Sequence, residues 1–128
     1  IAKPGSSTLL QVPMSTRLKY GVFHNGFKLI YDRLRGKKRP PSTRWLRPSG
    51  NNVADMKLVA QQCLDEGKDY VEFMLHSSEF MPGGSPTFKD QAAIEQLYQD
   101  LDELFEWLSQ RCIGKTMAEF YQIRLLSI

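Results

Sequence analysis

The sequence predicts an α/β fold, because a strand-like segment, a helical segment and a second strand-like segment follow one another between Trp45 and Leu75. Trp45–Pro48 (WLRP) reads as a short strand, and Tyr70–Leu75 (YVEFML) has the length and apolar character of a buried strand. Between them, apolar residues recur at helical spacing from Asn51 or Asn52, each a good N-cap, to about Glu66. A strand–helix–strand unit of this size places its two strands parallel, with a right-handed crossover.

Further elements are predicted on either side of this unit. Leu9–Ser15 (LLQVPMS) reads as a short strand whose pairing is limited by Pro13, which has no N–H to donate. Apolar residues spaced three and four apart predict a helix over Gly21–Leu34, with His24 and Asn25 at its start. The clearest helical pattern runs from about Lys89 to Cys112. A last helix is expected from Thr116 to about Leu126, opened by the capping box TMAE.

The long helix carries a row of acidic residues away from its apolar stripe. These carboxylates resemble paired catalytic acids only in number, and the interpretation adopted is an exposed, solvated face. The residues in question are Glu95, Asp100, Asp102, Glu103 and Glu106.

Length and composition indicate a single domain over residues 1–128, with 41% hydrophobic and 24% charged residues. No apolar run approaches the roughly 20 residues that a membrane-spanning helix needs. Cys63 and Cys112 fall on apolar helical faces without the spacing of metal ligands, so they indicate buried thiols and favour a reducing compartment such as the cytoplasm. A disulfide between them stays open at this point.

Charge divides the chain in two. Residues 1–50 contain eleven Lys and Arg against one acid, whereas residues 51–128 contain six against thirteen. Much of the positive charge falls in a predicted exposed loop over residues 35–44. The basic half could meet an anionic partner, dock on the acidic half or remain solvated. Specific nucleic-acid binding is disfavoured, because no aromatic residues are interleaved with the basic run.

The most unusual stretch follows the predicted strand Tyr70–Leu75. The chain turns polar at His76, Ser77, Ser78 and Glu79, and then enters the Pro- and Gly-rich segment PGGSP. In an α/β fold, polar residues just past the carboxyl end of a buried strand lie where ligands bind. An ordinary polar exit from a strand is the alternative interpretation.

The sequence LHSSE after an apolar run, then a loop, a long amphipathic helix and the segment KTMAEF, resembles the last part of a NodB-type polysaccharide deacetylase domain (carbohydrate esterase family four). The segment LLQVPMS is similar to the LLEVPVS pattern of a late strand in that family. The resemblance implies the C-terminal strand/helix units of an incomplete (β/α) barrel. It also implies part of a hydrolase that removes acetyl groups from a bacterial glycan.

In the resembled family, two His and one Asp hold a divalent, zinc-like metal, an Asp is the general base, and a late His protonates the leaving group. The resemblance assigns that last role to His76, with Glu79 orienting the imidazole and holding its proton. Leu75, Ser77 and Arg47 are the candidate substrate-binding residues.

The residues for the metal site are absent from the sequence: it contains no Asp-Asp pair and no HxxxH, and His24 and His76 are its only histidines. We therefore expect no metal site in this chain, which by itself would be an inactive C-terminal part of a larger domain. Its expected partners are the glycan, the N-terminal part of that domain and, by self-association, a second copy of this chain. The alternatives are a non-catalytic binding module for an anionic glycan or carrier lipid, and an interaction domain in which LHSSE is only a turn.

Overall fold

The computed structural model describes residues 10–19, 30–31, 34–36 and 43–126. These residues form a mixed α/β structure of one small sheet and three α-helices. In chain order the elements are β1 (Thr16–Leu18), β2 (Thr43–Trp45), α1 (Val53–Asp65), a 3₁₀ helix (Ser77–Phe80), α2 (Gln91–Ser109) and α3 (Met117–Leu126).

The sheet is an antiparallel pair, in which Thr16 lies opposite Trp45 and Leu18 opposite Thr43. The strand predicted over Leu9–Ser15 is therefore wrong in position: residues 10–15 are irregular, and Leu9 lies outside the described residues. A ladder needs backbone donors on both strands, which Pro13 cannot supply, and regular pairing starts three residues later. Trp45 was expected to begin a strand, but it ends one.

The parallel pairing predicted between WLRP and Tyr70–Leu75 is also wrong. Tyr70–Leu75 is half-buried and forms no strand ladder with any described residue. Single hydrogen bonds hold it beside the sheet: the backbone N–H of Glu72 donates to Ser15 Oγ (2.9 Å), and that of Met74 donates to the Leu46 carbonyl (3.1 Å). Pro48 has no N–H, so the WLRP segment has one backbone donor fewer to offer to a ladder with Tyr70–Leu75.

Helix α1 lies where the sequence predicted it, between Asn52 and Glu66. Its N-cap, Asn52, accepts a hydrogen bond from the backbone N–H of Ser49 (2.8 Å) and donates one to the Arg47 carbonyl (2.9 Å). The chain leaves the helix at Gly67, whose φ of +65° favours glycine. Its buried face packs against α2 and the end of the sheet in one cluster, formed by Leu46, Met56, Val59, Ala60, Cys63 and Leu104.

Helix α2 is confirmed as the longest element, but it ends before the predicted limit. Asp90 caps it by accepting a hydrogen bond from the Ala93 N–H (2.8 Å), and Cys112 lies beyond its end. Asp100, expected on the solvated face, is only 5% exposed, and its Oδ1 accepts from Gln96 Nε2 (2.8 Å). The buried face of α2 is wider than its apolar stripe, so it also includes Asp100. Cys63 and Cys112 are free thiols.

Helix α3 begins with the predicted capping box. The Glu119 carboxylate accepts from the backbone N–H of Thr116 (2.7 Å), and the Thr116 hydroxyl accepts from the Glu119 N–H (3.2 Å). Both of these donors would otherwise lack an intrahelical acceptor. The capping-box residues are exposed, so this local pattern forms without help from tertiary packing.

Docking of the basic half on the acidic half accounts for several of its charges. Three ion pairs join an arginine before residue 50 to an acid after it: Arg17 to Glu66 (2.7 Å), Arg44 to Asp55 (2.7 Å) and Arg47 to Glu79 (3.0 Å). Of the alternatives that the sequence left open for this charge, docking within the chain therefore applies to these three residues.

Most of the helix predicted over Gly21–Leu34, with His24 and Asn25, lies outside the described residues. Ile30, Tyr31 and Leu34 are helical and exposed. Residues 37–42 of the predicted basic loop also lie outside them, and Thr43 and Arg44, which were assigned to that loop, belong to β2. Within the described part of the chain, the helices are too short or too polar to cross a membrane.

Candidate functional site

A group of polar residues surrounds the point where the extended segment Tyr70–Leu75 meets the 3₁₀ helix. His76 is the N-cap of this helix and is exposed. The backbone N–H of Glu79 donates to the His76 carbonyl (2.9 Å), which closes the turn. The segment therefore ends abruptly and leaves an imidazole at the surface.

Glu79 is the buried centre of this group, with 2% of its surface exposed. Its Oε2 accepts a hydrogen bond from the backbone N–H of His76 (3.0 Å), and its Oε1 accepts one from Arg47 Nη2 (3.0 Å). The Asn52 side chain holds the Arg47 carbonyl from the other side. The backbone at His76 is thus fixed by a carboxylate that is itself fixed by an arginine anchored to the start of α1.

The surroundings of Glu79 favour its charged form. Burial by itself would raise the pKa of the Glu79 carboxyl group. The hydrogen bond from the His76 N–H, and the hydrogen bond and positive charge of Arg47, act in the opposite direction and lower this pKa below its usual value. The Arg47–Glu79 pair is therefore an ion pair at neutral pH.

The loop after the 3₁₀ helix folds back closely on it. The Gly84 N–H donates to the Met81 carbonyl (2.8 Å), and the Gly83 N–H donates to the carbonyl of the buried Phe88 (2.9 Å). A Cβ atom on Gly84 would collide with the Ser78 carbonyl oxygen, so only glycine fits there. The loop therefore packs directly against the 3₁₀ helix and supports it.

The five residues singled out from the sequence lie in two arrangements. His76, Glu79 and Arg47 form one connected group, as described above. Leu75 is half-buried and packs against the cluster around Phe88, while Ser77 is exposed on the 3₁₀ helix. Glu79 was expected to orient the imidazole directly, but both of its hydrogen bonds go elsewhere, so it fixes the backbone of His76 instead.

A cavity of ≈ 520 Å³ lies beside this group and shares Arg47 with it. Sequence reasoning missed its other basic residues, since Arg44 was assigned to a solvated loop and Lys19 was assigned to no element. The two arginines that flank an aromatic residue in TRWLR were the available signal. The residues around the cavity are Lys19, Thr43, Arg44, Trp45, Arg47, Pro48, Ser49, Asn52, Asp55 and Thr87.

The described residues contain no group of three or more His, Cys, Asp or Glu side chains that could hold a metal ion. The donor set around His76 consists of one imidazole and one carboxylate that is already paired with Arg47, so it does not fit a metal centre. What the arrangement can do chemically is to exchange a proton at an exposed imidazole and to bind anionic or hydroxyl-bearing groups through arginine.

Comparison with known proteins gives no relative: no protein-family model, no curated protein and no solved structure matches this chain. Its function must therefore be argued from the site itself.

Proposed function

We propose that this chain is the C-terminal part of a carbohydrate deacetylase-like hydrolase, in which His76 is the general acid that protonates the leaving group. The observation that carries the proposal is an exposed imidazole whose backbone is fixed by the buried Glu79 carboxylate, which pairs with the partly exposed Arg47. The resemblance of the LHSSE region to NodB-type deacetylases supplies the reaction class. Under this proposal the substrate is an acetylated glycan.

The chemistry of His76 follows from the reaction. Removing an acetyl group from a sugar leaves an amine or an alcohol that needs a proton as the bond to the acetyl carbon breaks. An imidazole exchanges protons near neutral pH, and general acid catalysis of this kind is worth about 10²–10⁴-fold in rate. In the proposal, the exposed ring of His76 holds that proton and donates it to the leaving nitrogen or oxygen.

Arg47 and Glu79 are positioning residues in this proposal. A general acid must lie within hydrogen-bond distance of the leaving atom, and small displacements cost much of its effect. Glu79 fixes the backbone nitrogen of His76, and Arg47 fixes Glu79. Leu75 and Ser77 flank the imidazole in sequence and are the adjacent surfaces that a sugar would meet.

A divalent metal supplies the activation of water and of the acetyl carbonyl in the resembled family. The described residues do not form a ligand set for it, so the proposal places those ligands and the general base in another part of the parent domain. The roles proposed for His76, Glu79 and Arg47 do not depend on that metal.

The free edge of the extended segment supports a barrel that continues beyond the described sheet. Glu72 and Met74 direct their backbone groups toward Ser15 and Leu46. Backbone groups alternate along an extended segment, so the N–H groups of Val71, Phe73 and Leu75 belong to the opposite side. No backbone hydrogen bond joins them to another described residue. An edge of this kind is a template for another strand, which we propose comes from the rest of the parent barrel or, for the chain alone, from a second copy.

The test of the enzymatic proposal is acetate release by the complete protein on an acetylated oligosaccharide. His76→Gln should lower kcat by about 10²–10⁴-fold and remove the limb of the pH–rate profile that reports the acid. His24→Gln, which replaces the only other histidine in the sequence, is the matched control. It should keep the wild-type kcat and the same limb of the pH–rate profile. Undiminished release by His76→Gln would remove His76 from the mechanism and overturn the proposal.

Association is tested separately, by sedimentation of the isolated chain. The proposal for the free edge expects concentration-dependent dimers or larger species, because unsatisfied strand edges and apolar surface favour pairing. A strictly monomeric chain at all concentrations would count against the proposed edge pairing.

A further inference from the structure

We propose that the cavity beside Arg47 binds an anionic group, a carboxylate or a phosphate, carried by the saccharide substrate. This inference rests on the proposed function, which it deepens by naming the class of glycan. Among the described residues that line the cavity, Lys19, Arg44 and Arg47 are basic and Asp55 is acidic. Asp55 pairs with Arg44 and Glu79 pairs with Arg47, so the remaining positive charge is that of Lys19. The excess of positive charge in a concave surface favours an anionic ligand.

The two arginines retain donors for such a ligand. A guanidinium group has five N–H donors. Arg44 commits two of its donors to described residues, through Nε to Asp55 Oδ1 (2.7 Å) and through Nη1 to the Lys19 carbonyl (2.8 Å). Arg47 commits one, through Nη2 to Glu79. The Asp55 and Glu79 contacts also hold each guanidinium in place before a ligand arrives, which reduces the entropic cost of binding.

The remaining lining suits a sugar rather than a bare anion. Trp45 is 45% exposed, and its ring orientation is fixed because Nε1 donates to Thr43 Oγ1 (2.7 Å). An exposed indole offers an apolar face to the C–H side of a sugar ring, while the polar side chains of Ser49, Asn52 and Thr87 can exchange hydrogen bonds with its hydroxyl groups. The volume of ≈ 520 Å³ lies within the range of ordinary small-molecule sites.

Arg47 connects this cavity to the group around His76. The same guanidinium lines the cavity and bonds to Glu79, which fixes the backbone of His76. A saccharide held in the cavity is therefore bound next to the residues that position the general acid. The proposal accordingly predicts acetylated glycans with an acidic residue or a phosphate, rather than neutral ones, as the substrates.

The experiment measures binding of oligosaccharides to the complete protein by calorimetry. Three ligands of equal length are compared: a neutral acetylated oligosaccharide, one that contains a uronic acid and one that carries a phosphate. We expect the wild-type protein to bind at least one of the two anionic ligands at least tenfold more tightly than the neutral one, with an affinity that falls as salt rises. The ligand that gains affinity identifies the source of the charge.

The variants Arg44→Gln and Lys19→Gln should each reduce this preference for the anionic ligand by about tenfold or more, the effect expected of a lost charged hydrogen bond. Lys19 makes no side-chain contact on which the described fold depends, so its variant keeps the test valid if Arg44→Gln proves unstable. Arg17→Gln is the matched control: it removes a neighbouring arginine of β1 that pairs with Glu66 and does not line the cavity, and it should keep the preference.

Failure of this inference is distinguishable from failure of the proposed function, because binding and turnover are read separately. Equal affinity of the wild-type protein for neutral and anionic ligands, or an unchanged preference in Lys19→Gln and Arg44→Gln, overturns the anionic site even when His76→Gln abolishes turnover. An anionic preference that persists while His76→Gln keeps full activity supports the cavity and rejects the catalytic role. In that case the chain is the binding module that the sequence left as the alternative.

Discussion

Two regions of this molecule are held together in different ways. Six residues that are fully or almost fully buried, among them Met56, Cys63 and Leu104, make the layer between α1 and α2. The segment Tyr70–Leu75 and the 3₁₀ helix after it are half-buried or exposed, and the single fully buried residue there is the charged Glu79. The first region depends on apolar area, whereas the second combines the apolar contacts of Val71, Phe73 and Leu75 with a few hydrogen bonds and one ion pair.

The difference indicates how stability and function are divided. Apolar packing is distributed over many contacts, so the helix layer supplies most of the free energy of folding. The 3₁₀ helix that begins at His76 is mostly exposed, and exposed regions open at a lower free-energy cost. Binding and catalytic residues are often found in segments of this kind, positioned by a rigid scaffold.

The largest effect is expected from Leu104→Ala, which removes a fully buried side chain from the helix layer. We expect it to lower the free energy of unfolding by about 3 kcal/mol, from lost burial and the cavity left behind. Urea denaturation measures this. Ile113→Ala, at a residue that is 83% exposed, is the control and should stay within about 0.5 kcal/mol of wild type. Equal losses in the two variants would mean that the layer is not the stabilising region.

Gly84→Ala tests the packing beneath the site. The added methyl group would meet the Ser78 carbonyl oxygen, a backbone atom that cannot rotate away, and we expect a loss of roughly 2 kcal/mol in urea denaturation. Gly114→Ala is the matched control, because a Cβ atom there meets nothing within 4 Å. If Gly84→Ala left the free energy of unfolding unchanged, the loop would have moved to accommodate the methyl group, and its contact with the 3₁₀ helix would not be stabilising.

Glu79→Gln should lower the free energy of unfolding by a somewhat smaller amount, about 1–2 kcal/mol, in urea denaturation. Removing one partner of a buried ion pair leaves the other uncompensated, but Arg47 is partly exposed and water offsets some of that cost. Glu66→Gln removes the acid of the exposed Arg17–Glu66 pair and should cost less than about 1 kcal/mol. If both variants lost equal stability, the contrast between a buried and an exposed pair would not hold.

The smallest effect concerns pH. Because the pKa of Glu79 is lower in the folded protein than in the unfolded chain, the folded state binds fewer protons and its stability rises with pH. The stabilisation is fully present above the unfolded-state pKa of about 4.3 and is lost as pH falls through the lower folded-state value. Urea denaturation from pH 3 to pH 7 should show the gap between wild type and Glu79→Gln narrowing below that point. A gap independent of pH would contradict the assignment.

The helices could be predicted from the sequence because their signals are local. The glycine at position 67 and the capping box of Thr116 and Glu119 each act within one turn of the chain, and both are observed. Asn52 takes the predicted N-cap position, although its side chain bonds to Ser49 and Arg47 and not to the helix. The strands could not be predicted in the same way. Whether WLRP pairs with β1 or with Tyr70–Leu75 depends on long-range competition for the same backbone groups, which a propensity does not contain.

The candidate site could likewise be predicted only in part. A polar run after an apolar segment was sufficient to single out His76 and Glu79, and the WLRP motif was sufficient to single out Arg47. The partners of each side chain were not predictable: the Glu79 carboxylate accepts hydrogen bonds from Arg47 and from the His76 backbone, and Asp100 is buried on a helix face expected to be solvated. Arg44 and Lys19 meet at the cavity only because β1 and β2 pair.

The sequence by itself determined where α1, α2 and α3 lie and which short stretch changes from apolar to polar, since these depend on neighbours along the chain. The tertiary structure decided which strand pairs with which, which charges are neutralised and which basic residues share a cavity. Those outcomes depend on groups far apart in sequence that compete for the same hydrogen bonds and the same buried space, and only the folded chain resolves that competition.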